Sequence, residues 1–543
     1  MKKLPYGIQN FKEIIENNYV YVDKTQYVYN LIYNEKYYFL SRPRRFGKSL
    51  LLDTIAEAFS GEKTLFKGLY LYDSDYRFEK HPILRLDMSN IPNKTPEVLE
   101  TSLSEELMDR IKKENLKIVS EIPAILFKRL IEGLYIKYNQ RVVVLIDEYD
   151  SPLLDHLDEI ETAEANRKVL RGFYGILKSM DPFLRHVFIT GVSKFTKTSV
   201  FSGMNNLRDI TLSEEYANIC GVTIEDLGKY FKDHMEKMET FNKFKKYKNI
   251  SDEILSWYDG YSWDGETRVI NPFSLLGFFT EKKFSSFWYA SGTPKFLIDM
   301  IKKDPHIYTN LKNYKMTESM LDASEINSIA AEPLFFQTGY LTIKEIIFTK
   351  RSTVYMLDMP NFEVREAFNF HVLTAFTEKE QSRVKQAQLE IDEALQKNDM
   401  HKMLEILRSL FAAIPYQLHI SLEAYYHSIF YAVMNVLGFE IDAEVSVSGG
   451  RVDAVLELDD LVYIIEFKYK HCPPDTSADI KKKRSEEALE QGMAQINDRG
   501  YYKKYIGSGK KITQAVFVFL GRDEIEMKVD IRPAVEQNID ASC

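Results

Sequence analysis

Short apolar runs alternate with longer amphipathic stretches through residues 1–215. Tyr38-Phe39-Leu40 reads as a buried strand, and Leu50–Phe59 after it reads as an apolar helix. Pro82–Met88 is a second buried strand with Asp87 near its end. Across Pro96–Tyr138, charges interleave with Leu, Ile and Phe at a helical period. Val142–Ile146 is a continuous apolar run, as expected of a parallel strand buried on both faces. Ala163–Met180 is helical again, and Arg185–Thr190 is again a strand. Strands separated by helices predict an α/β fold with a parallel sheet.

From about Tyr216 the period becomes mainly helical, with aromatic turns at Trp257–Tyr261 and Asn271-Pro272-Phe273. Pro333–Ile343 and Thr353–Leu357 predict strands of a small sheet, and Glu378–Phe411 a charged helical connector. Glu423–Leu437 reads as a helix that Gly438 ends. Strand-like runs follow at Phe439–Val447, Arg451–Leu456 and Leu461–Tyr469, then a helix at Ser485–Asp498 and a last strand at Thr513–Leu520.

Composition narrows the class. A chain of 543 residues holds about two to four domains. With 45% hydrophobic and 28% charged residues it can bury sizeable cores. No apolar run approaches the length of a membrane span, and the N-terminus lacks an apolar signal core. Cys220, Cys472 and Cys543 show neither metal-type spacing nor a disulfide framework. A cytoplasmic protein is the expectation. The net charge of −9 excludes a wholly basic nucleic-acid binder, so any such contact must come from local patches.

Tyr37–Leu50, YYFLSRPRRFGKSL, combines strand, loop, Gly-Lys-Ser and helix, the arrangement that cradles phosphates. Backbone groups of Arg45, Phe46, Gly47, Lys48, Ser49 and Leu50 would surround them. Lys48 would reach the β- and γ-phosphates of ATP, and Ser49 would hold Mg²⁺. Arg42 stands where the general pattern has glycine. An isolated Gly-Lys-Ser is as often a turn before a surface helix. Arg141–Asp150, RVVVLIDEYD, decides between the two readings by adding an acidic strand end about a hundred residues on. Asp147 would hold Mg²⁺, directly or through Ser49 and water, and Glu148 would polarise the attacking water. Thr190 or Ser193 could sense the γ-phosphate, with a plain turn equally open. Tyr19–Val22 is β-branched and aromatic, as a short extended segment would be, and Asp23-Lys24-Thr25 follows it. Lying just before the phosphate-loop strand, the segment could dock a nucleotide base, but a cap for the helix Gln26–Asn34 is the plainer reading.

A second constellation lies near the C-terminus. Strand alternation puts Glu466 and Lys468 on one face, and Asp453 on a neighbouring run can meet them. Asp453 and Glu466 could hold Mg²⁺ or Mn²⁺ through oxygen, and Lys468 would orient a water. Glu423 on the preceding helix could complete the metal shell, and Gln491, Gln495 and Tyr501 could contact water or substrate. A surface ion pair on an edge strand is the plainer alternative. The mostly apolar Tyr463–Phe467 argues against it. Lys468–Lys470, Lys481–Arg484 and Lys503–Lys511 are basic runs that could follow a phosphate backbone.

The stretches YVDKT, RPRRFGKSL, LIDEYDSPL, FITGVSKF, FSGMNNL, FQTGYLTIK, GRVDAVLE and YIIEFKY, with the region of Gln495 and Tyr501, are spread over most of the chain. In these the chain resembles bacterial AAA-ATPase-like proteins that carry a C-terminal PD-(D/E)XK nuclease domain. The resemblance implies that RPRRFGKS is an ordinary form of the loop, with Arg42 no defect. It also implies that Asp453, Glu466 and Lys468 are a nuclease triad with Glu423 as a helix acid, and that DNA is favoured over RNA as substrate.

The expected fold class is α/β. The chain comprises a P-loop AAA-like ATPase domain with a parallel sheet (1–215), a mainly helical middle region with a small sheet (216–375), a helical connector (376–412) and a restriction-endonuclease-like α/β domain (413–543). The expected function is ATP binding and hydrolysis joined to metal-dependent nucleic-acid cleavage. The alternative is a nucleotide-dependent switch whose C-terminal domain binds a partner or nucleic acid without cutting. No membrane partner is expected, and a homo-oligomer is left open.

Overall fold

Continuous burial of apolar strands builds the N-terminal sheet. The computed structural model describes residues 1–194, 200–201, 204–288, 295–303, 307, 311, 314–322, 331–377, 380–411, 445–447, 450–458, 460–473, 476–506, 508–521 and 524–532. Strands β1 (Tyr37–Ser41), β2 (Ile83–Asp87), β3 (Val142–Asp147), β4 (Leu184–Gly191) and β5 (Arg208–Asp209) run parallel in the order β2-β3-β4-β1-β5. Every residue of β1 and β3 is buried, as expected of strands covered by helices on both faces. β2 differs from the expectation of a buried strand. It lies at the sheet edge, with Leu84 and Leu86 buried and Arg85 exposed.

The helix Lys48–Ser60 follows β1 after the loop Arg42–Gly47. The long amphipathic stretch after β2 forms two helices, Pro96–Lys113 and Pro123–Tyr138, each with proline in its first turn. Their apolar stripes, Leu99-Leu103-Leu107 and Phe127-Leu130-Leu134, join the core of the sheet. A second core, including Val20, Val222, Leu227, Ile254 and Phe278, binds the helices after β5 to the N-terminal segment.

The chain forms two compact units, Met1–Gly292 with Leu311–Val364, and Thr293–Asn310 with Arg365–Cys543. In the first, β6 (Tyr314–Thr317), β7 (Thr342–Phe348) and β8 (Thr353–Asp358) form an antiparallel sheet in the order β6-β8-β7. The strand expected at Pro333–Ile343 is instead mostly the helix Ala331–Thr338, and β7 begins only at Thr342. All eight residues of that helix except Glu332 are buried. Burial on every side erases the helical period and leaves an apolar run that reads as a strand.

The second unit is built on β11 (Ala454–Glu457), β12 (Leu461–Lys470), β13 (Lys511–Leu520) and β14 (Glu524–Arg532), hydrogen-bonded in that order. β12 and β13 are parallel and the outer pairs antiparallel. β14 follows the strand expected to be last. A short hairpin, β9 (Val445–Val447) with β10 (Gly450–Val452), precedes β11. The helix Ala478–Arg499 lies against β12 and β13. Its close approach depends on Gly492, where a Cβ would stand 2.5 Å from Val516 Cγ1. Val516 is the strand neighbour of Glu466, so this glycine sets how near the helix comes to that carboxylate. The expected helix Glu423–Leu437, with Glu423 and Gly438, lies outside the described residues.

Candidate active sites

The phosphate loop runs from Arg42 to Gly47, between β1 and the helix that Lys48 opens. Its left-handed torsions fall at Arg45 (φ 68°) and Gly47 (φ 89°). Arg42 has no positive φ, so a glycine there would bring no torsional advantage. The Arg42 side chain is fully buried instead. Its Nη1 donates to the carbonyls of Ser41 and Thr211, each at 2.9 Å, and Nη2 to that of Tyr216 at 3.2 Å. The guanidinium stacks 3.9 Å from the Trp263 ring. Arg45 stacks 3.8 Å over Phe273 and donates to the Phe287 carbonyl, and Phe46 packs against Tyr261 and Trp263. Two of the three loop arginines therefore brace the loop by their side chains.

Lys48 is buried, and its Nζ donates to the carbonyls of Arg42 and Pro43, both at 3.0 Å. Ser49 follows in the first helical turn, and its carbonyl accepts from Arg85. Gly47 and Leu50 line an apolar cavity of 110 Å³ together with Val20, Tyr21, Cys220 and Leu276. Val20, Tyr21, Val22 and Lys24, from the segment before the phosphate-loop strand, line one wall of this cavity. The next helix, Thr25–Asn34, has Lys24 at its N-cap and no side-chain cap bond, so Asp23-Lys24-Thr25 is not a helix cap of the usual kind; Asp23 Oδ1 accepts from the Thr25 amide at 2.9 Å instead.

The end of β3 faces this loop. Thr190 Oγ1 donates to Asp147 Oδ1 at 2.6 Å, which brings the β4 end and the acidic strand end together. Ser193 is engaged elsewhere: its amide and hydroxyl both donate to Asp150 Oδ2, each at 2.6 Å. Of the two sensor candidates, Thr190 is the one that meets Asp147. Glu148 adopts a left-handed backbone (φ 49°), an uncommon state for a non-glycine residue. Burial pushes its carboxyl above the ordinary range, with Lys48 opposing and Asp147 and Asp150 adding to the rise.

The second site gathers on β12. Glu466 is 1% exposed. Its Oε1 accepts from Lys468 Nζ at 2.8 Å and from Gln495 Nε2, while Lys468 Nζ also donates to Gln495 Oε1 at 2.9 Å. Asp453, at the bend between β10 and β11, accepts from the Phe467 amide at 2.8 Å. Burial pushes the Glu466 carboxyl up, Asp453 adds to the rise, and Lys468 opposes it. Glu466 Oε2 is buried and has no hydrogen-bond partner among the described residues. An orphaned carboxylate oxygen near a second carboxylate fits a hard divalent cation such as Mg²⁺ or Mn²⁺. Glu423 cannot be placed in this shell, and no group of three His, Cys, Asp or Glu able to hold a metal occurs among the described residues.

Gln495 thus joins the acid and the lysine, whereas Gln491 is exposed. Part of the expected basic track is spent internally. Lys481 pairs with Glu524, Arg484 donates to the His471 carbonyl, and Lys510 pairs with Glu457. Gly492 and Arg499 escaped the sequence reading. The signal for both was helical spacing, since Gly492, Gln495 and Arg499 recur at i, i+3 and i+7.

A five-stranded parallel sheet with a phosphate loop, joined to a mixed sheet carrying an Asp-Glu-Lys cluster, defines a class: an AAA-ATPase-like part joined to a nuclease-like part. Comparison with known families agrees. Residues 5–201 match the family model described as "Predicted AAA-ATPase", and residues 421–528 match that of the PD-(D/E)XK nuclease superfamily. The chain is 35% identical over 517 residues to the "Uncharacterized protein in vnfD 5'region" of Azotobacter chroococcum mcd 1, covering 94% of this chain and 95% of that protein. The chain belongs to the AAA-ATPase-like family that carries a PD-(D/E)XK nuclease superfamily domain. Among the described residues no helix is long and apolar enough to cross a membrane.

Proposed function

We propose that the chain binds and hydrolyses ATP in its N-terminal part, near 1–215, and cleaves nucleic acid, with DNA favoured, in its C-terminal part, near 413–543. The observation that carries the cleavage reading is the buried Oε2 of Glu466 beside Asp453, unpartnered among the described residues, with Lys468 and Gln495 bonded to the other oxygen. Mg²⁺ at either site, or Mn²⁺ at the second, supplies neutralisation of phosphate charge and a more acidic water. Asp453 and Glu466 would hold it there, and Lys468 orients the water that displaces an ester oxygen from phosphorus. In the N-terminal part the backbone of Arg45–Leu50 cradles the phosphates and Lys48 neutralises them. Ser49 and Asp147 would hold the cation, Thr190 would read the γ-phosphate through Asp147, and Glu148 would polarise the water.

The test is incubation of the full chain with labelled duplex DNA, single-stranded DNA and RNA, with Mg²⁺ or Mn²⁺, and with ATP, ADP or neither. Wild type should cut in metal. Asp453→Ala, Glu466→Ala and Lys468→Ala should not cut, yet all three should bind ATP as wild type does. Lys468→Ala alone should keep metal binding in calorimetry. Absence of cleavage by wild type under every nucleotide condition would replace this reading with a switch that binds without cutting.

A further inference from the structure

We propose that Asp150 is a positioning residue for ATP hydrolysis, its buried carboxylate tying the chain after β3 to the turn after β4 and so holding Glu148 in place; this rests on the ATPase reading above. Asp150 is fully buried. Its Oδ2 accepts from the Ser193 amide and hydroxyl, each at 2.6 Å, and from the Val192 amide at 3.1 Å. Three donors aimed at one carboxylate favour its charged form and fix its direction.

Residues on both sides of Glu148 are fastened to the same four residues, 190–193. Before it, Asp147 Oδ1 accepts from the Thr190 hydroxyl at 2.6 Å. After it, the Tyr149 amide donates to the Thr190 carbonyl at 2.9 Å, and the Tyr149 hydroxyl to the Ser193 carbonyl at 3.1 Å. Asp150 completes the set on Val192 and Ser193. With its neighbours fixed, Glu148 has to bridge them. It does so at φ 49°, a torsion that residues with a side chain seldom adopt unless their surroundings impose it. Gly191 makes room for the arrangement: a Cβ there would stand 2.5 Å from the Tyr149 ring and 2.8 Å from Asp150 Oδ1. The turn that receives these bonds is itself held by other elements. The Lys194 amide donates to Gln337 Oε1 at 3.0 Å, and Lys194 Nζ pairs with Asp209 at 3.1 Å. Asp150 therefore anchors the Glu148 backbone to a fixed post, and it bears on the reaction through where it puts the Glu148 carboxylate.

The experiment compares full-length wild type, Asp150→Asn, Ser193→Ala and Glu148→Gln, and combines each of the first two substitutions with Glu148→Gln. Turnover of saturating ATP gives kcat, a fluorescent ATP analogue gives affinity, and tryptophan fluorescence in urea gives stability. Asp150→Asn keeps the shape but exchanges one acceptor oxygen for a donor. A displacement of Glu148 by about 1 Å should lower kcat by up to about 10²-fold, while affinity stays within about twofold, since ground-state binding is untouched. Ser193→Ala removes the hydroxyl bond alone and should lower kcat less, at the same affinity. In the Glu148→Gln background neither substitution should slow turnover further, because no carboxylate is left to position. A residue that only supported the fold would add its own loss to that of Glu148→Gln. If wild type hydrolyses ATP and Asp150→Asn keeps kcat, the positioning role is wrong while the ATPase reading stands. Equal losses of affinity and turnover overturn it too, as does a double variant slower than Glu148→Gln by the full factor of Asp150→Asn. If Asp150→Asn does not fold, Ser193→Ala, alone and with Glu148→Gln, decides by the same criteria. If wild type does not hydrolyse ATP, both readings fail together.

Discussion

Restoring the glycine that the general phosphate-loop pattern places at position 42 should damage this protein. In Arg42→Gly, three bonds from a charged donor to carbonyls disappear, those to Ser41, Thr211 and Tyr216. Each contributes roughly 1.5–2 kcal/mol. The stack on Trp263 at 3.9 Å contributes about 2 kcal/mol in a desolvated setting. Against these stands the cost of burying the charge. Burial lowers the guanidinium pKa from 12.5 to about 10, a cost of about 3 kcal/mol. The balance is a loss of about 4 kcal/mol. Glycine recovers nothing in torsion, because the left-handed positions are Arg45 and Gly47. The readout can be selective: all three tryptophans, Trp257, Trp263 and Trp288, lie in the first compact unit. Urea unfolding followed by tryptophan fluorescence therefore reports the unit that contains the loop. Arg42→Lys should fall between wild type and glycine, since it keeps charge without the fork. Unfolding within 1 kcal/mol of wild type for Arg42→Gly, at unchanged ATP affinity, would refute the bracing role argued from this geometry.

Lys48→Ala should weaken ATP binding by at least about tenfold, measured with a fluorescent ATP analogue, because no neighbour reaches the same place at the helix start. Glu148→Gln should keep ATP binding and slow phosphate release by roughly 10²–10⁴, since the amide keeps the shape and loses the base; wild-type turnover would assign water activation elsewhere. His186 is fully buried against Tyr38, Phe59 and Phe188, neither ring nitrogen has a partner among the described residues, and burial pulls its pKa from 6.5 down to about 3. Between these values the unfolded chain binds a proton that the folded chain refuses. This group's contribution is therefore intact above pH 6.5, and stability falls on acidification by up to about 1.4 kcal/mol per unit. His186→Phe should flatten that dependence in tryptophan-monitored unfolding at pH 7.5 and 5.5, and an unchanged pH slope would show that other groups set it.

The parts that were legible in the chain are those where one local rule governs. β3 shows as a continuous apolar run because both of its faces are covered. Glu466 and Lys468 were placed on one face by strand alternation alone, and in the fold they meet at 2.8 Å. Where the deciding contact is distant, the local rule misleads. The helix Ala331–Thr338 hides its period because nearly all of it is buried. β2 reads as central because Leu84 and Leu86 are apolar, but only its place in the strand order shows that one side is open. Gly492 has meaning only against Val516.

Arg42 is the clearest case of this divide, and it bears on how the nucleotide part works. Read locally, it is a bulky residue in a tight loop. In space it ties the loop to Thr211, Tyr216 and Trp263, while Arg45 and Phe46 reach Phe273, Phe287 and Tyr261. The phosphate loop is therefore not an autonomous strand–turn–helix element. Its shape depends on backbone carbonyls and aromatic rings supplied from residues 211–287 in the same compact unit. Anything that binds the braced loop, and not the loosened one, stabilises those contacts by mass action. The side chains of Arg42, Arg45 and Phe46 engage residues 211–287, whereas the phosphate contacts proposed for this loop come from its backbone, so substitutions at these three positions test the bracing apart from the proposed phosphate binding.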